Sequence, residues 1–339
     1  MTIGTQEEAR RVRVAVDAMG GDFAPIEVVR GAVEAVQRQD VEVILVGPER
    51  RLREELAAAD AAGLPLSVHH TEQFIADGEP PASALRTKPE ASVLVCTRLV
   101  KEGRADAAVS MGHTGASMIA AHWTFGALPG VERPVAGGVL FPLVPQTAAF
   151  DLGANADCKP EQFLQFAAVG VAYARCLLGV ADPTVGLLSN GTEPGKGTAQ
   201  TRAAYDLLAQ SGLNFIGYVE GWDLASGRAN VVVCDGFVGN IVIKYGEGLG
   251  RALAGWLAKR LEGHLPPSEV QTIADELLEM MEVERRLGGG PLLGVDGVMV
   301  VGHGRSKAPA VALAIEQARL AVEQNLIGAL KAELARVVG

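Results

Sequence analysis

Several protein classes are excluded by what this 339-residue sequence has little of. The formal net charge is −10, so Lys and Arg are too few for a broad nucleic-acid-binding face. No run approaches the ~18 apolar residues that a membrane-spanning helix needs. Aromatic residues make up only 5%, and we expect the three isolated tryptophans, Trp123, Trp222 and Trp256, to pack in the core. The sequence therefore predicts neither a nucleic-acid-binding protein nor an integral membrane protein.

Cysteine is scarce as well. The four cysteines are Cys96, Cys158, Cys176 and Cys234, and no two of them form a CxxC pair. This scatter is typical of reduced cytosolic thiols and argues against a disulfide framework or a zinc site. Cys158 is a candidate nucleophile only through its neighbour Lys159, the one local group that would lower its pKa.

Signatures of other enzyme classes are missing too. There is no HExxH zinc motif, no GxSxG nucleophile elbow and no complete GxGxxG followed by an acidic residue. The stretch SNGTEPGKGT (189–198) does not have the GxxxxGKS/T spacing of a nucleotide P-loop. Asp17 and Asp22 flank Gly20-Gly21 without a nearby His, Cys or third carboxylate, so no metal site is predicted there.

Glycine, by contrast, is abundant, with 41 residues that cluster between apolar runs. Six short apolar runs each end in a Gly-rich turn that leads into a helical pattern, from VRVAVDAMGG near the N-terminus to VMVVGHGRS near the C-terminus. This alternation predicts βαβ units in a Rossmann-like, three-layer α/β/α fold with a mostly parallel sheet. Because ligands bind at the carboxyl ends of such strands, we expect the Gly-rich loops to converge on one cleft.

The chain is expected to form one α/β domain over residues 12–339, with a possible subdivision near 130–150. Residues 1–11 mix acidic and basic side chains without an apolar core, which predicts a loose extension rather than a secretory signal. Residues 135–160 hold two short apolar runs with no helix between them, so an antiparallel hairpin is expected. A protruding helical hairpin is predicted at about 247–287.

The second helix of that hairpin, at 269–287, carries an apolar stripe and an acidic face. The stripe consists of Val270, Ile273, Leu277, Met280, Met281, Glu284 and Leu287, and Arg285 and Arg286 lie near its end. We expect the stripe to pack at a dimer interface. The alternatives are a core helix and contact with a membrane at a tip formed by Met280 and Met281, which the acidic face disfavours.

Five Gly-rich junctions supply the candidate site residues. Main-chain N–H groups at a helix N-terminus, together with a lysine, are suited to binding an anion. The first junction holds Asp17, Gly20 and Gly21, and the second holds His113, Thr114 and Gly115. The third, at 189–198, holds Gly195, Lys196, Gly197 and Thr198, the last opening a helix. The fourth holds Asp235 and Asn240, and the fifth holds His303 and Arg305. Each alone is also explained as a tight β–α turn, but together they favour a phosphate-bearing substrate.

Six stretches resemble those of the bacterial phosphate acyltransferases, the PlsX family. They are VAVDAMGGDFAP, SMGHTGA, FDLGANADCKPE, LLSNGTEPGKG, VVVCDGFVGN and PLLGVDGVMVVGHGRS, in order from about Val12 to Ala318. The resemblance implies a fold like isopropylmalate dehydrogenase and phosphotransacetylase. It also implies a homodimer that transfers a fatty acyl group from acyl carrier protein to inorganic phosphate. One position departs from the family, which usually has Asn where this chain has His113.

The implied reaction assigns roles to the candidate residues. Phosphate is already a nucleophile and a thiolate leaves readily, so no cofactor or metal is expected, and the protein must position the reactants and stabilise an oxyanion. Lys196 and the N–H groups of Gly195–Thr198 would bind phosphate, with Arg305 as a second cation. Asn240 would donate to the oxyanion. His303 would protonate the leaving thiol or make a structural hydrogen bond. Asp17 would orient loop backbone or a cleft lysine, and Asp22 would cap the next helix or hold the turn.

The resemblance also implies partners and a location. The acyl phosphate product would pass to a glycerol-3-phosphate acyltransferase, and the protein would be cytoplasmic, with peripheral membrane contact as an option. An acidic carrier protein needs a basic patch, for which the candidates are Lys259, Arg260, Arg50, Arg51 and Arg53. A coenzyme A-dependent phosphotransacetylase, a nucleotide-dependent dehydrogenase and a pure binding protein remain as alternatives.

Overall fold

The computed structural model describes residues 10–76, 78–282 and 287–338. The strands are β1 (Val12–Asp17), β2 (Val41–Gly47), β3 (Leu66–His70), β4 (Ala107–Ser110), β5 (Val135–Val139), β6 (Ala148–Phe150), β7 (Thr184–Leu188), β8 (Asn214–Val219), β9 (Val231–Val233), β10 (Gly289–Leu293) and β11 (Val298–Gly302). Most of the predicted N-terminal extension lies outside the described residues. So do Glu284 of the predicted apolar stripe and the neighbouring Arg285 and Arg286.

Helices follow most strands, as the alternation predicted. They are α1 (Ile26–Arg38), α2 (Glu49–Ala58), α3 (Pro81–Thr87), α4 (Ser92–Lys101), α5 (Thr114–Phe125), α6 (Pro160–Leu177), α7 (Ala199–Gln210), α8 (Asp223–Ser226), α9 (Gly236–Leu261), α10 (Pro267–Met281), α11 (Ala308–Glu323) and α12 (Leu326–Val337). Side-chain caps start several of them, since Thr198 accepts from the Thr201 amide and Asp235 accepts from the Val238 amide.

All eleven strands belong to one sheet with the order β3-β2-β1-β4-β11-β10-β5-β6-β9-β7-β8. The first five strands in this order are parallel to one another, and so are the last four. Between these two groups, β10 and β5 make three successive antiparallel pairings, which include the hairpin predicted around β5 and β6. The two parallel groups therefore run in opposite directions, and the sheet changes direction at β10 and β5.

Side chains alternate between two helical layers, which confirms the three-layer prediction. In β1, Val14 and Val16 pack into the core shared with α1, α6, α11 and α12, whereas Ala15 packs with α4 and α5. In β9, Val231 faces the first of these cores, and Val232 packs against the beginning of α9. Strands buried on both faces explain why their sequences read as continuous apolar runs.

The predicted helical hairpin is formed by α9 and α10, and it begins earlier than expected, at Gly236. The helices approach closely because Gly250 lies against Met281, where a β-carbon would come within 2.5 Å of the Met281 Cβ. The turn of the hairpin lies between the helices, at 262–266. Met280 and Met281 sit at the far end of α10, so their predicted placement at the tip is wrong.

The tryptophans are not core residues, contrary to expectation. Trp123, Trp222 and Trp256 are 47%, 69% and 61% exposed. Trp256 belongs to a row of exposed apolar side chains that runs along α9 with a spacing of three to four residues. This row, the α9 stripe, comprises Phe237, Ile241, Tyr245, Leu249, Leu253 and Trp256.

Candidate active site

A cleft of about 450 Å³ lies over β5 and β10, where the sheet changes direction. Its floor includes Gly137, Gly138, Gly289 and Gly290, and its walls come from the start of α5, the loop after β6, the first half of α9 and the end of β11. Most of the lining is apolar. Polar side chains are contributed by Thr114, Asn240, Lys244, Glu247, His303 and Gln317. An apolar cleft with few polar groups is typical of a small-molecule site.

The first wall is the N-terminus of α5. His113 caps this helix, because its Nδ1 accepts a hydrogen bond of 3.0 Å from the Gly115 amide. Thr114 lines the cleft, whereas His113 and Gly115 are outside its lining. His113 therefore fixes the backbone at the start of α5 without lining the cleft, as an Asn or Asp cap would.

The opposite wall is α9, whose start is fixed by Asp235. The Asp235 carboxylate accepts from the Val238 amide at 2.8 Å and does not line the cleft. Asn240 does line it, as the sequence predicted, together with Lys244 and Glu247. The spacing i, i+4, i+7 places these three polar side chains on one face of the helix. Lys244 and Glu247 were not identified from the sequence. Their positions four and seven residues after Asn240 could have predicted that they share its helix face.

A buried carboxylate, Asp151, supports the loop between these walls. Its oxygens accept hydrogen bonds of 2.7–2.9 Å from the amides of Gly153, Ala154 and Asn155 and from Asn155 Nδ2. Burial raises the pKa of Asp151, and the hydrogen bonds oppose that rise. Gly153 and Ala154 in turn line the cleft.

The same loop packs against the first turn of α9. The Gly236 amide donates to the Asn155 carbonyl at 2.7 Å. A β-carbon at Gly239 would collide with the carbonyl oxygen of Asp151, so only glycine allows this approach. The contact fixes the backbone that carries the neighbouring Asn240. The sequence motif FDLGANADCKPE gave no indication that its acid has this supporting role.

Asp17 lies behind the α5 wall rather than in the cleft. It is buried, and its carboxylate accepts from Ser110 Oγ at 2.7 Å and from the Met19 amide at 3.3 Å. Burial raises its pKa, opposed by hydrogen bonds that include those from Ser92 and Ser110. Asp17 thus orients loop backbone, the first of its two predicted roles, and no lysine among the described residues contacts it.

Gly20 and Gly21 complete this junction and do not line the cleft. A β-carbon at Gly20 would lie 2.7 Å from both Asp17 Oδ2 and the Gly112 amide, and Gly21 has a φ of +105°. Asp22 makes no side-chain cap to α1, and its amide donates to the Gly304 carbonyl at 2.7 Å. The predicted helix cap at Asp22 is therefore wrong, and its backbone joins two loops.

The end of β11 brings His303 into the cleft, as predicted, but not Arg305. Both side chains are exposed. Arg305 makes no hydrogen bond or ion pair with any residue in the described ranges. The structure therefore groups Thr114, Asn240 and His303 and leaves Arg305 on the surface of the turn that precedes α11.

The loop at 189–198 also lies outside the lining of the cleft. Gly197 is held on both sides, because its amide donates to Asn190 Oδ1 at 2.9 Å and its carbonyl accepts from Arg202 Nη1 at 2.7 Å. Lys196 is exposed, with its Nζ 3.9 Å from a Glu193 oxygen. Gly195 and Gly197 have φ values of +90° and +83°, and Thr198 caps α7 as predicted.

Cysteine and metal chemistry receive little support. Burial raises the pKa of Cys158 to about 11, and its Sγ donates to the Asn155 carbonyl, so it is a structural thiol. All four cysteines are free. Within the described ranges, no cluster of three or more His, Cys, Asp or Glu side chains could hold a metal ion.

Comparison with known proteins decides the family. The family described as "Fatty acid synthesis protein" matches residues 12–328. The chain belongs to this family. It is 45% identical to a phosphate acyltransferase from Moorella thermoacetica over 94% of this chain and 95% of the relative. It is 44% identical to a phosphate acyltransferase from Pelotomaculum thermopropionicum, over 95% of each chain. The resemblance seen in the six motifs, and the prediction of an acyltransferase, are thereby confirmed.

The fold of this family member is shared with more distant proteins. A phosphotransacetylase from Streptococcus pyogenes superposes with a TM-score of 0.64 over 93% of this chain and 95% of its own, at 18% identity. A 4-hydroxythreonine-4-phosphate dehydrogenase from Klebsiella pneumoniae gives 0.53 over 91% and 98%, at 13% identity. At such identities only the fold is comparable, and the predicted fold class is confirmed. No helix in the described part of the chain is long and apolar enough to cross a bilayer.

Proposed function

We propose that this member of the fatty acid synthesis family transfers a long-chain acyl group reversibly from acyl carrier protein to inorganic phosphate, which yields acyl phosphate for phospholipid synthesis. The observation that carries the proposal is the cleft over β5 and β10. Its glycine floor and apolar walls suit a hydrocarbon chain, and its amide, imidazole and ammonium groups suit a reacting thioester and an anion.

The proposed chemistry follows from the groups that meet there. A phosphate oxygen attacks the thioester carbonyl, the C–O bond forms, and the carbonyl oxygen becomes an oxyanion. The Asn240 side-chain amide donates to that oxyanion, an interaction that is stronger in the transition state than in the ground state. The C–S bond then breaks, and His303 protonates the departing thiolate. Asn240 is well suited because the Asp151 loop fixes the backbone beside it.

Lys196 is proposed to bind phosphate together with the N–H groups of Gly195–Thr198. The loop carries this lysine close to the N-terminus of α7, where main-chain amides favour an anion. Lys196 is more than 40% exposed and only loosely paired with Glu193, so little has to be broken for it to reach a substrate. Arg305 is the second proposed cation, on the turn beside His303.

A homodimer is proposed, with the α9 stripe at its interface. The stripe extends over most of a 26-residue helix and exposes six large apolar side chains. An apolar patch of this length in water is typical of an interaction surface. Sedimentation should show a dimer for the wild type and a monomer for Tyr245→Asp. An unchanged mass for this variant would reject the stripe as the interface.

Acyl carrier protein is proposed to dock on the basic residues of the hairpin. Arg50 and Arg53 are each paired with a neighbouring glutamate, which weakens their electrostatic attraction to an acidic partner. Lys259 is exposed without an ion pair among the described residues, and Nη1 of the exposed Arg260 lies 3.5 Å from His264 Nε2. We further propose a cytoplasmic location, peripheral membrane contact at the hairpin and delivery of product to a glycerol-3-phosphate acyltransferase.

The proposed activity is tested by trapping the product. Palmitoyl-acyl-carrier-protein, phosphate and the protein are mixed, and hydroxylamine converts any acyl phosphate into a hydroxamate that is measured. A phosphate-dependent hydroxamate signal is expected. Equal rates with palmitoyl-coenzyme A would favour the phosphotransacetylase alternative. Loss of thioester without a phosphate-dependent product would reject the proposal.

A further inference from the structure

The cleft contains a cation that none of the sequence motifs identified. Among the described lining residues, Lys244 is the one Lys or Arg side chain. It lies one helical turn after Asn240, a rise of about 6 Å along α9. Because side chains four residues apart share a helix face, Lys244 and Asn240 project into the same space.

Lys244 is available to a ligand. It forms no hydrogen bond or ion pair with any residue in the part of the chain that the structure describes. Glu247 lines the cleft one turn farther along α9, on the side of Lys244 away from Asn240. An anion that sits between Asn240 and Lys244 therefore lies away from the negative charge of Glu247.

The surroundings of this ammonium group are partly apolar. Lys244 is exposed, as Lys196 is, but the cleft that it lines is walled by apolar side chains such as Leu152, Ile243 and Leu292. A charge pair beside apolar walls attracts more strongly than the same pair in bulk water, because the effective dielectric constant is lower. Lys196 stands on a loop outside the lining of the cleft.

We infer that Lys244 is a further phosphate-binding residue of this enzyme, holding the nucleophile beside the thioester carbonyl that Asn240 contacts. The inference rests on the proposed function, because it assigns one substrate of that reaction to a named side chain. It also gives the cleft a cation of its own, independent of the position of the 189–198 loop.

The experiment compares three variants by steady-state kinetics, with hydroxamate as the readout. Lys244→Gln should raise KM for phosphate about tenfold or more, since hydrogen bonds to charged groups are the strong ones. KM for acyl-acyl-carrier-protein should stay within about twofold of wild type. Lys244→Arg should recover part of the loss because it keeps the charge. Lys101→Gln, which removes an exposed lysine of α4 outside the cleft, is the matched control and should behave as wild type.

Direct binding separates failure of this inference from failure of the proposed function. The ³¹P line width of inorganic phosphate should broaden with wild-type protein and with Lys101→Gln, and much less with Lys244→Gln. Equal broadening by all three proteins would overturn the inference even if the enzyme is active. A higher KM for acyl-acyl-carrier-protein with an unchanged KM for phosphate would overturn it too. An inactive wild type that still binds phosphate through Lys244 would refute the proposed reaction alone.

Discussion

Two regions of this protein offer a lysine to an anion, and they are built in opposite ways. The cleft wall that carries Lys244 starts at a capped helix end and rests on Asp151, which accepts four hydrogen bonds beneath the surface. The loop that carries Lys196 is exposed from 192 to 196, and the side chains that anchor it, Asn190 and Arg202, both hold Gly197 at its end.

The difference separates two ways of placing a charge. A side chain on a rigid, supported helix is preorganised, so little ordering is required when the reaction begins. A side chain on an exposed Gly-rich loop must be ordered by the substrate, which uses part of the binding energy. We therefore expect Lys244 to act mainly in binding phosphate. We expect Lys196 to contact phosphate only after the bound substrate has ordered its loop.

The largest effect is expected from the loop lysine. Lys196→Ala should lower kcat/KM for phosphate by about a hundredfold or more, since it removes the cation that we propose binds phosphate. If Lys196 and Lys244 hold the same phosphate, the double variant with Lys244→Gln should lose less than the product of the two single losses. Fully multiplicative losses would show that the two regions act on different groups. Near-normal turnover of Lys196→Ala would remove the loop from the mechanism.

Glycine substitutions should separate the two regions by stability. Gly239→Ala places a methyl group against the Asp151 carbonyl, and overpacking of this kind costs about 3 kcal/mol of unfolding free energy. Gly195→Ala meets no atom within 4 Å but must keep a φ of +90°, which costs about 1–2 kcal/mol. Urea denaturation measures both. Equal costs would mean that the cleft wall is no more rigid than the loop.

The buried acid behind the cleft wall, Asp17, should make the stability of the protein depend on pH. The folded-state pKa of Asp17 is raised above 3.8, so the folded protein binds the extra proton in the window just above that value. Stability from this group is therefore complete below pH 3.8 and is lost as pH rises through the raised pKa. The loss is about 1.4 kcal/mol for each pH unit that separates the folded from the unfolded pKa. Asp17→Asn should gain stability relative to wild type as pH rises from 4 to 7. A constant stability difference between Asp17→Asn and wild type over this pH range would contradict the assignment.

The smallest difference is expected at the helix caps. His113→Ala and Thr198→Ala each remove one cap, at α5 and α7, and each should cost about 1 kcal/mol. His113→Asn should keep the stability of α5, because an amide oxygen can accept from the Gly115 amide as the imidazole nitrogen does. Thermal denaturation checks all three. A much larger loss at His113 would show that the imidazole does more than cap the helix.

Local elements were predictable from the sequence where one cause dominates. Apolar runs followed by Gly-rich turns indicated β1, β4, β7 and β11, and Thr198 was placed correctly at the start of α7. Asn240 was expected before its helix but lies within the second turn of α9. Strand direction was not predictable, because an apolar run reads the same in either direction. The reversal depends on three antiparallel pairings, β11 with β10, β10 with β5 and β5 with β6. Three of the five Gly-rich loops nevertheless contribute to one cleft, through Thr114, Asn240 and His303, whereas the loops at 17–21 and 189–198 do not line it.

Side-chain environment was harder to predict than element type. Trp256 reads as a core residue by composition, yet it lies on a helix face that the single chain leaves open. Lys244 reads as an ordinary surface lysine within IVIKYGEG, and only the floor of the sheet beneath it makes a cleft there. Asp151 was not singled out from the sequence, because its role depends on the backbone that follows it, which folds back and donates to both of its carboxylate oxygens.

The glycine floor of the cleft has a consequence for how the protein can vary. Gly137 cannot gain a side chain, because a β-carbon there would overlap the ring of Phe150, whereas one at Gly290 would come no closer than 3.7 Å to its nearest neighbour, the Gly137 carbonyl oxygen. The depth available to a hydrocarbon chain can therefore change at Gly290 while the sheet stays intact. The volume of the cleft and the packing of the sheet are therefore governed by neighbouring but separate positions, so evolution or design can alter one without the other.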